Sequence, residues 1–346
     1  MSMHNPPAYK RLHANGELKK RSREAISRLG ECRQCPRRCG INRLEDESSG
    51  FCRTGRLARV SGFDLHFGEE APLVGDSGSG TIFFSGCNLG CEFCQNWEIS
   101  RDLETSAPGT AVTSEQLAWI MLELQKKGAL NINLVTPSHV IPQILEALLL
   151  AADRGLNLPL VYNSSGYDVP ESLNLLDGIV DMYMPDTKIR DPDRAKRYLN
   201  ARDYPQAARK ALKRMHKQVG DLETDESGIA RKGLLVRHLV LPENAAGTRQ
   251  WMRFLAGLSK DTYVNVMGQY HPCGRADKYP ELSRTVTDGE VEKAKAEATR
   301  VGLSRLDKRE SGLIRACSGS CDDSIFLTIC QPAMPTKLAR NQKSDR

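Results

Sequence analysis

The sequence has no long hydrophobic run. The longest, AlaLeuLeuLeuAlaAla at 147–152, is far shorter than the ~20 residues a membrane-spanning helix needs. No stretch near the N-terminus has the apolar core of a signal peptide. Nor is there a block of one charge sign: 49 basic and 43 acidic residues are interspersed, the net charge is only +6, and LysLysArgSerArg at 19–23 is the densest basic run. So mild and unclustered an excess gives no electrostatic footprint for nucleic acid. No internal repeat is visible beyond an alternation of strand-like and helix-like segments. The expectation is a cytoplasmic protein with no membrane partner. At 346 residues and 40% hydrophobic content, the chain can bury one large core or two modest ones.

Cysteine, by contrast, is plentiful. Eleven cysteines cannot all pair as disulfides, and in a reducing compartment grouped cysteines read as metal or iron–sulfur ligands. They fall into three groups: Cys32, Cys35, Cys39 and Cys52; Cys87, Cys91 and Cys94; and Cys317, Cys321 and Cys330; Cys273 stands alone. The last three read as free thiols in a tail or, alternatively, as ligands of an accessory cluster.

Residues 1–30 carry a weak helical pattern. The segment from there to residue 75 is rich in Cys, Gly and Arg, with little periodicity, so a metal is its expected organiser. From Gly80, short β-branched runs alternate with amphipathic stretches, the signature of βα units on a parallel sheet. Strands are expected at 81–85, 131–136, 158–163, 178–184, 234–241 and 263–267. Helices are expected at 114–127 with Ser114 as N-cap, 141–154, 170–176, 204–219, 248–258 and 286–299. Six strands are fewer than the eight of a closed barrel. The fold class is therefore α/β, a partial, open TIM-like βα barrel (76–306) preceded by a Cys-rich metal or cluster segment (1–75) and followed by a disordered polar tail (307–346). In such a barrel the loops at the C-terminal strand ends gather at one mouth, where chemistry is built.

GlyCysAsnLeuGlyCysGluPheCysGlnAsn at 86–96 follows the first of these strands. Its C-x3-C-x2-C spacing lets one loop wrap three corners of a 4Fe–4S cubane, with Gly86 and Gly90 permitting the curl. Three thiolates leave one iron open, the arrangement that separates sites for chemistry from sites for structure. A zinc site with a distant fourth ligand, and buried free or redox-paired thiols, are the alternatives. The four cysteines upstream, C-x2-C-x3-C-x12-C, make a closed site suited to a fully ligated iron–sulfur cluster or to zinc. A zinc knob contacting nucleic acid through Arg33, Arg37 and Arg38 is the binding-module alternative.

The three-cysteine loop, with Phe93 before its last cysteine and a βα array behind it, resembles the radical S-adenosylmethionine (SAM) superfamily. That resemblance implies an enzyme in which SAM binds the open iron. Reductive cleavage then yields a 5′-deoxyadenosyl radical that abstracts hydrogen from a substrate. A low-potential donor such as flavodoxin or ferredoxin is also implied. Asp186-x-Lys188 after the fourth strand, Arg237 in ArgHisLeuValLeuPro, and His271 in TyrHisPro are similar to motifs of glycyl-radical activating enzymes, notably the pyruvate formate-lyase activating enzyme. In that family the Asp and Lys hold a monovalent cation and the SAM carboxylate, and the Arg fixes SAM. Read without the resemblance, these residues are a surface turn, a snorkelling Arg and a satisfied His. The family's Gly-Gly-Glu after the second strand is missing here. ThrProSerHis at 136–139 stands in its place, so Thr136, Ser138 or His139 becomes the candidate for the SAM amino group. AsnSerSerGly offers Asn163 and Ser164 for the ribose or carboxylate, or is a plain turn. With the four N-terminal cysteines included, residues 8–306 resemble the PflX-type branch. Its substrate is open, a glycyl-radical protein or another polypeptide being the expectation, and an iron–sulfur electron carrier or sensor is the rival reading.

Overall fold

A computed structural model describes residues 6–45, 49–101 and 109–308. Two helices lead in, α1 (Tyr9–Ala14) and α2 (Glu17–Ser27), and strand β1 (Ala58–His66) and the short α3 (Ala71–Val74) follow the cysteine-rich stretch. The array then runs β2 (Ser79–Phe84), α4 (Trp97–Ser100), β3 (Thr110–Val112), α5 (Ser114–Lys126), β4 (Ile132–Val135), α6 (Ile141–Asp153), β5 (Leu160–Ser164), α7 (Pro170–Leu175) and β6 (Met182–Thr187). It continues with α8 (Pro192–Leu199), α9 (Tyr204–Val219), β7 (Glu223–Thr224), β8 (Ala230–Leu239), α10 (Thr248–Leu258), β9 (Tyr263–Met267) and α11 (Asp288–Arg300).

Strands β2, β4, β5, β6, β8 and β9 form one parallel run in that order, and these are the six strands read from the sequence. The sheet is open: β9 pairs with β8, while the other end is extended by antiparallel β1 and β3. The cysteine-rich segment thus supplies a strand of the sheet itself. Helix α5 begins one residue earlier than its composition suggests. Thr113, not Ser114, is the N-cap, because its extended backbone lets its hydroxyl accept from Gln116 N–H while Gln116 reaches back, a capping box. Helix α8, opened by the Asp191 cap and Pro192, and strands β1, β3 and β7 were not foreseen.

Alternation along the strands sorts side chains into two layers. Ile82, Leu134, Leu160, Tyr162, Tyr183, Leu234 and Val236 face the helices in the main core. Val161, Met182, Met184 and Leu235 point into the barrel, where Leu73 of α3 joins them as a plug. Burying Leu73 contributes about 2 kcal/mol. The plug leaves the barrel's upper part to polar residues. No helix among the described residues is long and apolar enough to cross a membrane. The expected tail, with Cys317, Cys321 and Cys330, lies outside the described residues from 309 onward.

Candidate active site at the barrel mouth

The loop carrying Cys87, Cys91 and Cys94 leaves the C-terminal end of β2, as the sequence suggested. It starts at Gly86, whose φ of +82° and whose closeness to Cys52 O (2.6 Å from an added Cβ) leave no room for a side chain. Glu92 fastens the loop from within. Its buried carboxylate holds Arg101 at 2.7 Å, Asn200 at 2.7 Å and Arg275 at 3.2 Å, and its N–H donates to Tyr198 O. Burial pushes the Glu92 carboxyl up, but these donors outweigh it and hold it below the usual carboxylate range. Phe93 is buried against Tyr270, with ring centroids 6.0 Å apart in a T-shaped contact. Exposed His271 meets Gln95 at 3.2 Å beside the same loop.

The thiols of the loop receive hydrogen bonds: Leu89 N–H donates to Cys87 Sγ at 3.3 Å and Ser100 Oγ–H to Cys94 Sγ at 3.4 Å. Burial raises the Cys87 and Cys91 thiols well above their ordinary value. As bare thiols they stay protonated, and metal binding must displace those protons. Lys188 lies near enough to Cys91 for each to stabilise the other's charge. It is paired with Asp186 at 2.7 Å, both side chains largely buried. Burial alone would lower the Lys188 ammonium; Asp186 and Cys91 overcome that and raise it, so it remains a cation.

Asp186, Arg237 and Asn265 are register partners on adjacent strands, on the inward face. Below the cysteines Arg237 is clasped by two acids: Nε donates to Glu70 Oε1 at 2.7 Å, Nη2 to Glu70 Oε2 at 3.2 Å and to Glu69, and Nη1 to Asn163 Oδ1 at 3.4 Å. Asn265 adds a bond to Glu70 Oε1 at 2.8 Å. Glu69 and Glu70 are only 5% and 2% exposed, so the pair is shielded from water. Burial raises Glu70, but Arg237 prevails and leaves it below its ordinary value. Sequence reasoning missed both acids. Their signal was two consecutive glutamates directly before the apolar AlaProLeuVal.

Asn163 thus belongs to this group, whereas Ser164, its neighbour on the strand, faces the other way and donates to buried Asp168 at 2.9 Å. Thr136, directly after β4, is in a left-handed conformation (φ +61°), its N–H on Asn163 O at 2.9 Å. Ser138 and His139 are buried. His139 turns toward the N-terminal cysteines, lining one small cavity with Cys32, Cys35, Cys39, Cys52, Asn88 and Arg43.

That second site abuts the first. Arg37 donates to the loop carbonyls of Asn88 (3.0 Å) and Leu89 (2.8 Å) and stacks on Phe51 at 3.8 Å. Arg33 pairs with Glu31, and Arg38 with Glu171 at 3.7 Å. Arg43 is 1% exposed and, among the described residues, has no carboxylate partner; it donates to Thr54 O at 2.5 Å, Gly55 O at 3.3 Å and Cys32 Sγ at 3.6 Å. A buried guanidinium needs an anion, and thiolates at this site would supply it. Burial pushes Cys35 up to about 12 and raises Cys52 as well. Among the described residues no three His, Cys, Asp or Glu side chains are grouped to hold a metal ion as they stand. The four thiols surround a cavity rather than closing on a point.

The sequence profile of the Radical SAM superfamily matches residues 81–225. The chain is 33% identical over 279 residues to an uncharacterized protein of Methanocaldococcus jannaschii, covering 80% of this chain and 76% of that one. Among solved structures it is similar to HydG, a maturase of the FeFe-hydrogenase, with a TM-score of 0.46 and 14% identity. That match covers 66% of this chain and 51% of HydG, so the chain spans about half of HydG's length.

Proposed function

Given that the chain belongs to the radical SAM superfamily, we propose that its mouth loop carries the catalytic cluster and that its substrate is a polypeptide, with glycyl-radical activation as the reaction class. When bound, a 4Fe–4S cluster and SAM supply a 5′-deoxyadenosyl radical for hydrogen abstraction. The observation that carries the reading is the convergence of Cys87, Cys91 and Cys94, from the loop after β2, with Lys188 and Asp186 at the C-terminal end of β6.

In this reading the cysteines hold three irons as thiolates, and Leu89 N–H and Ser100 Oγ–H stabilise the sulfurs. Lys188, held as a cation beside Cys91, would supply the positive charge for the methionyl carboxylate of SAM. Asp186 holds Lys188 in place and offers an oxygen to a monovalent cation. Arg237 directs four hydrogen bonds to Glu70, Glu69 and Asn163. One of the five guanidinium N–H groups therefore remains for a ligand. It acts chiefly by positioning Asn163 and the two acids. Thr136, beside Asn163, and His271, beside Gln95, stand at the rim. Phe51, Gly90, Cys87, Ser100 and Arg101 line an open cleft of about 380 Å³ that gives outside access to the loop. Electrons come from a flavodoxin or ferredoxin.

For Cys32, Cys35, Cys39 and Cys52, the thiol-lined cavity and buried Arg43 support a second iron–sulfur cluster over a single zinc ion. Iron and zinc counts on anaerobically purified protein decide between the two: zinc with only about four irons overturns the second cluster. The test of the main reading is anaerobic reconstitution followed by dithionite and SAM. 5′-Deoxyadenosine is expected from the parent and not from Cys87→Ala; its absence from both sinks the proposal. The appearance of a glycyl-radical EPR signal on a co-purifying protein tests the substrate class.

A further inference from the structure

We propose that His139 is a ligand of the N-terminal cluster, bonding through Nδ1 and taking, with Cys32, Cys35 and Cys52, the corner that an all-cysteine site gives to Cys39. The inference rests on the reading of that segment as an iron–sulfur site.

The imidazole is 1% exposed, and its Nε2 lies 2.8 Å from Ser85 O. A carbonyl oxygen only accepts, so Nε2 carries the proton and Nδ1 presents a lone pair. That Nδ1 is buried and, among the described residues, has no hydrogen-bond partner. An orphaned buried acceptor calls for an explanation, and here the ring borders the cavity formed by the four thiols. A neutral imidazole with one nitrogen donating to a backbone carbonyl and the other free is the form in which histidine binds metals. Arg43 does not claim Nδ1: its bonds go to Thr54 O, Gly55 O and Cys32 Sγ.

Five donors then face four corners. Cys32 and Cys35 are buried and Cys52 is half-buried, whereas Cys39 is exposed, so Cys39 is the one left over. The arrangement joins the two sites, because Ser85, which accepts from His139, immediately precedes Gly86 and Cys87. Replacing a thiolate by neutral imidazole also removes one negative charge from the cluster and raises its potential.

The test uses the full chain with Cys87, Cys91 and Cys94 changed to alanine, so that only the N-terminal site binds iron. Pulsed EPR of the reduced protein should show a nitrogen coupling that changes isotope when the chain is grown on 15N-histidine. His139→Ala should abolish the coupling, while Cys39→Ser should keep both iron content and coupling. If the triple variant does not fold, the labelled parent without SAM, compared with His139→Ala, gives the same reading. A cluster without histidine coupling overturns the proposal. So does a coupling that survives His139→Ala, or a cluster lost in Cys39→Ser yet unchanged in His139→Ala. Zinc or no metal at the site also overturns it, and the metal count shows that the failure then lies in the cluster reading rather than in the ligand assignment.

Discussion

Replacing Arg237 by methionine keeps most of the side chain's apolar volume and takes from Glu69 and Glu70 the guanidinium that both of them hold. Removing one partner of a buried ion pair costs about 3–5 kcal/mol, a large share of the ~5–15 kcal/mol that holds a typical domain together. The pH dependence should change sign as well. In the parent, burial raises Glu70 but Arg237 and Asn265 leave it below its ordinary value. A depressed carboxyl contributes stability that is present above its unfolded pKa and lost as pH falls through the folded one. Without Arg237, burial is opposed by Asn265 and a backbone hydrogen bond alone, the folded-state pKa rises above the unfolded value, and stability increases as pH falls from 7 toward 5. The gap between parent and variant is therefore widest near neutral pH and narrows on acidification, by about 1.4 kcal/mol for each pKa unit of difference. Urea unfolding followed by circular dichroism from pH 5 to 8 measures both. Arg237→Met combined with Glu70→Gln, which removes one stranded charge, should recover at least half of the loss at pH 7. A loss below about 1 kcal/mol, or a pH profile parallel to the parent's, would refute the claim that these acids are sealed from water.

Gly86→Ala places a Cβ 2.6 Å from Cys52 O at a φ of +82°. It should cost about 2 kcal/mol or more and lower iron content at both cysteine sites; a normal iron count would show that the two loops are independent. Asp181 accepts Ala8 N–H at 2.8 Å and Leu160 N–H at 2.9 Å, tying the lead-in helix to the barrel, and burial raises it to about 6. A raised carboxyl favours the folded state below its unfolded pKa, and that contribution, about 3 kcal/mol, is lost as pH rises from about 4 to 6. Unfolding of the parent against Asp181→Asn should show the difference shifting across that window, and a flat difference would dismiss it. Ser100→Ala removes the hydroxyl on Cys94 Sγ and should lower the loop cluster's reduction potential. A redox titration of reconstituted protein checks this, with an unchanged midpoint as the contrary result.

The six parallel strands were legible because each is a short β-branched run bounded by turn residues, a local signal that needs no tertiary information. The cysteine loop was legible for the same reason: spacing, glycines and place after a strand all lie within a few residues of one another. The antiparallel strands β1 and β3 were not, since they lie within or next to irregular segments and gain their pairing only from β2 and from each other. Arg237 could be suspected from its strand position, but its partners Glu70 and Glu69 lie 167 and 168 residues away in sequence, and no periodicity reports such a contact. Asn163 and Ser164 teach a different lesson. Consecutive residues of a strand face opposite sides, so only one of them could reach the barrel interior; with Leu160 and Val161 both apolar the sequence did not say which, and the structure puts Asn163 on the side of Val161. His139 lies between these cases. Its loop was rightly placed at the mouth, where it was weighed for the SAM amino group. Which of two neighbouring sites it serves depends on the carbonyl its Nε2 meets. That carbonyl, Ser85, is 54 residues upstream, so the direction of the ring is a property of how β2 and β4 lie side by side, and it becomes readable only once they do.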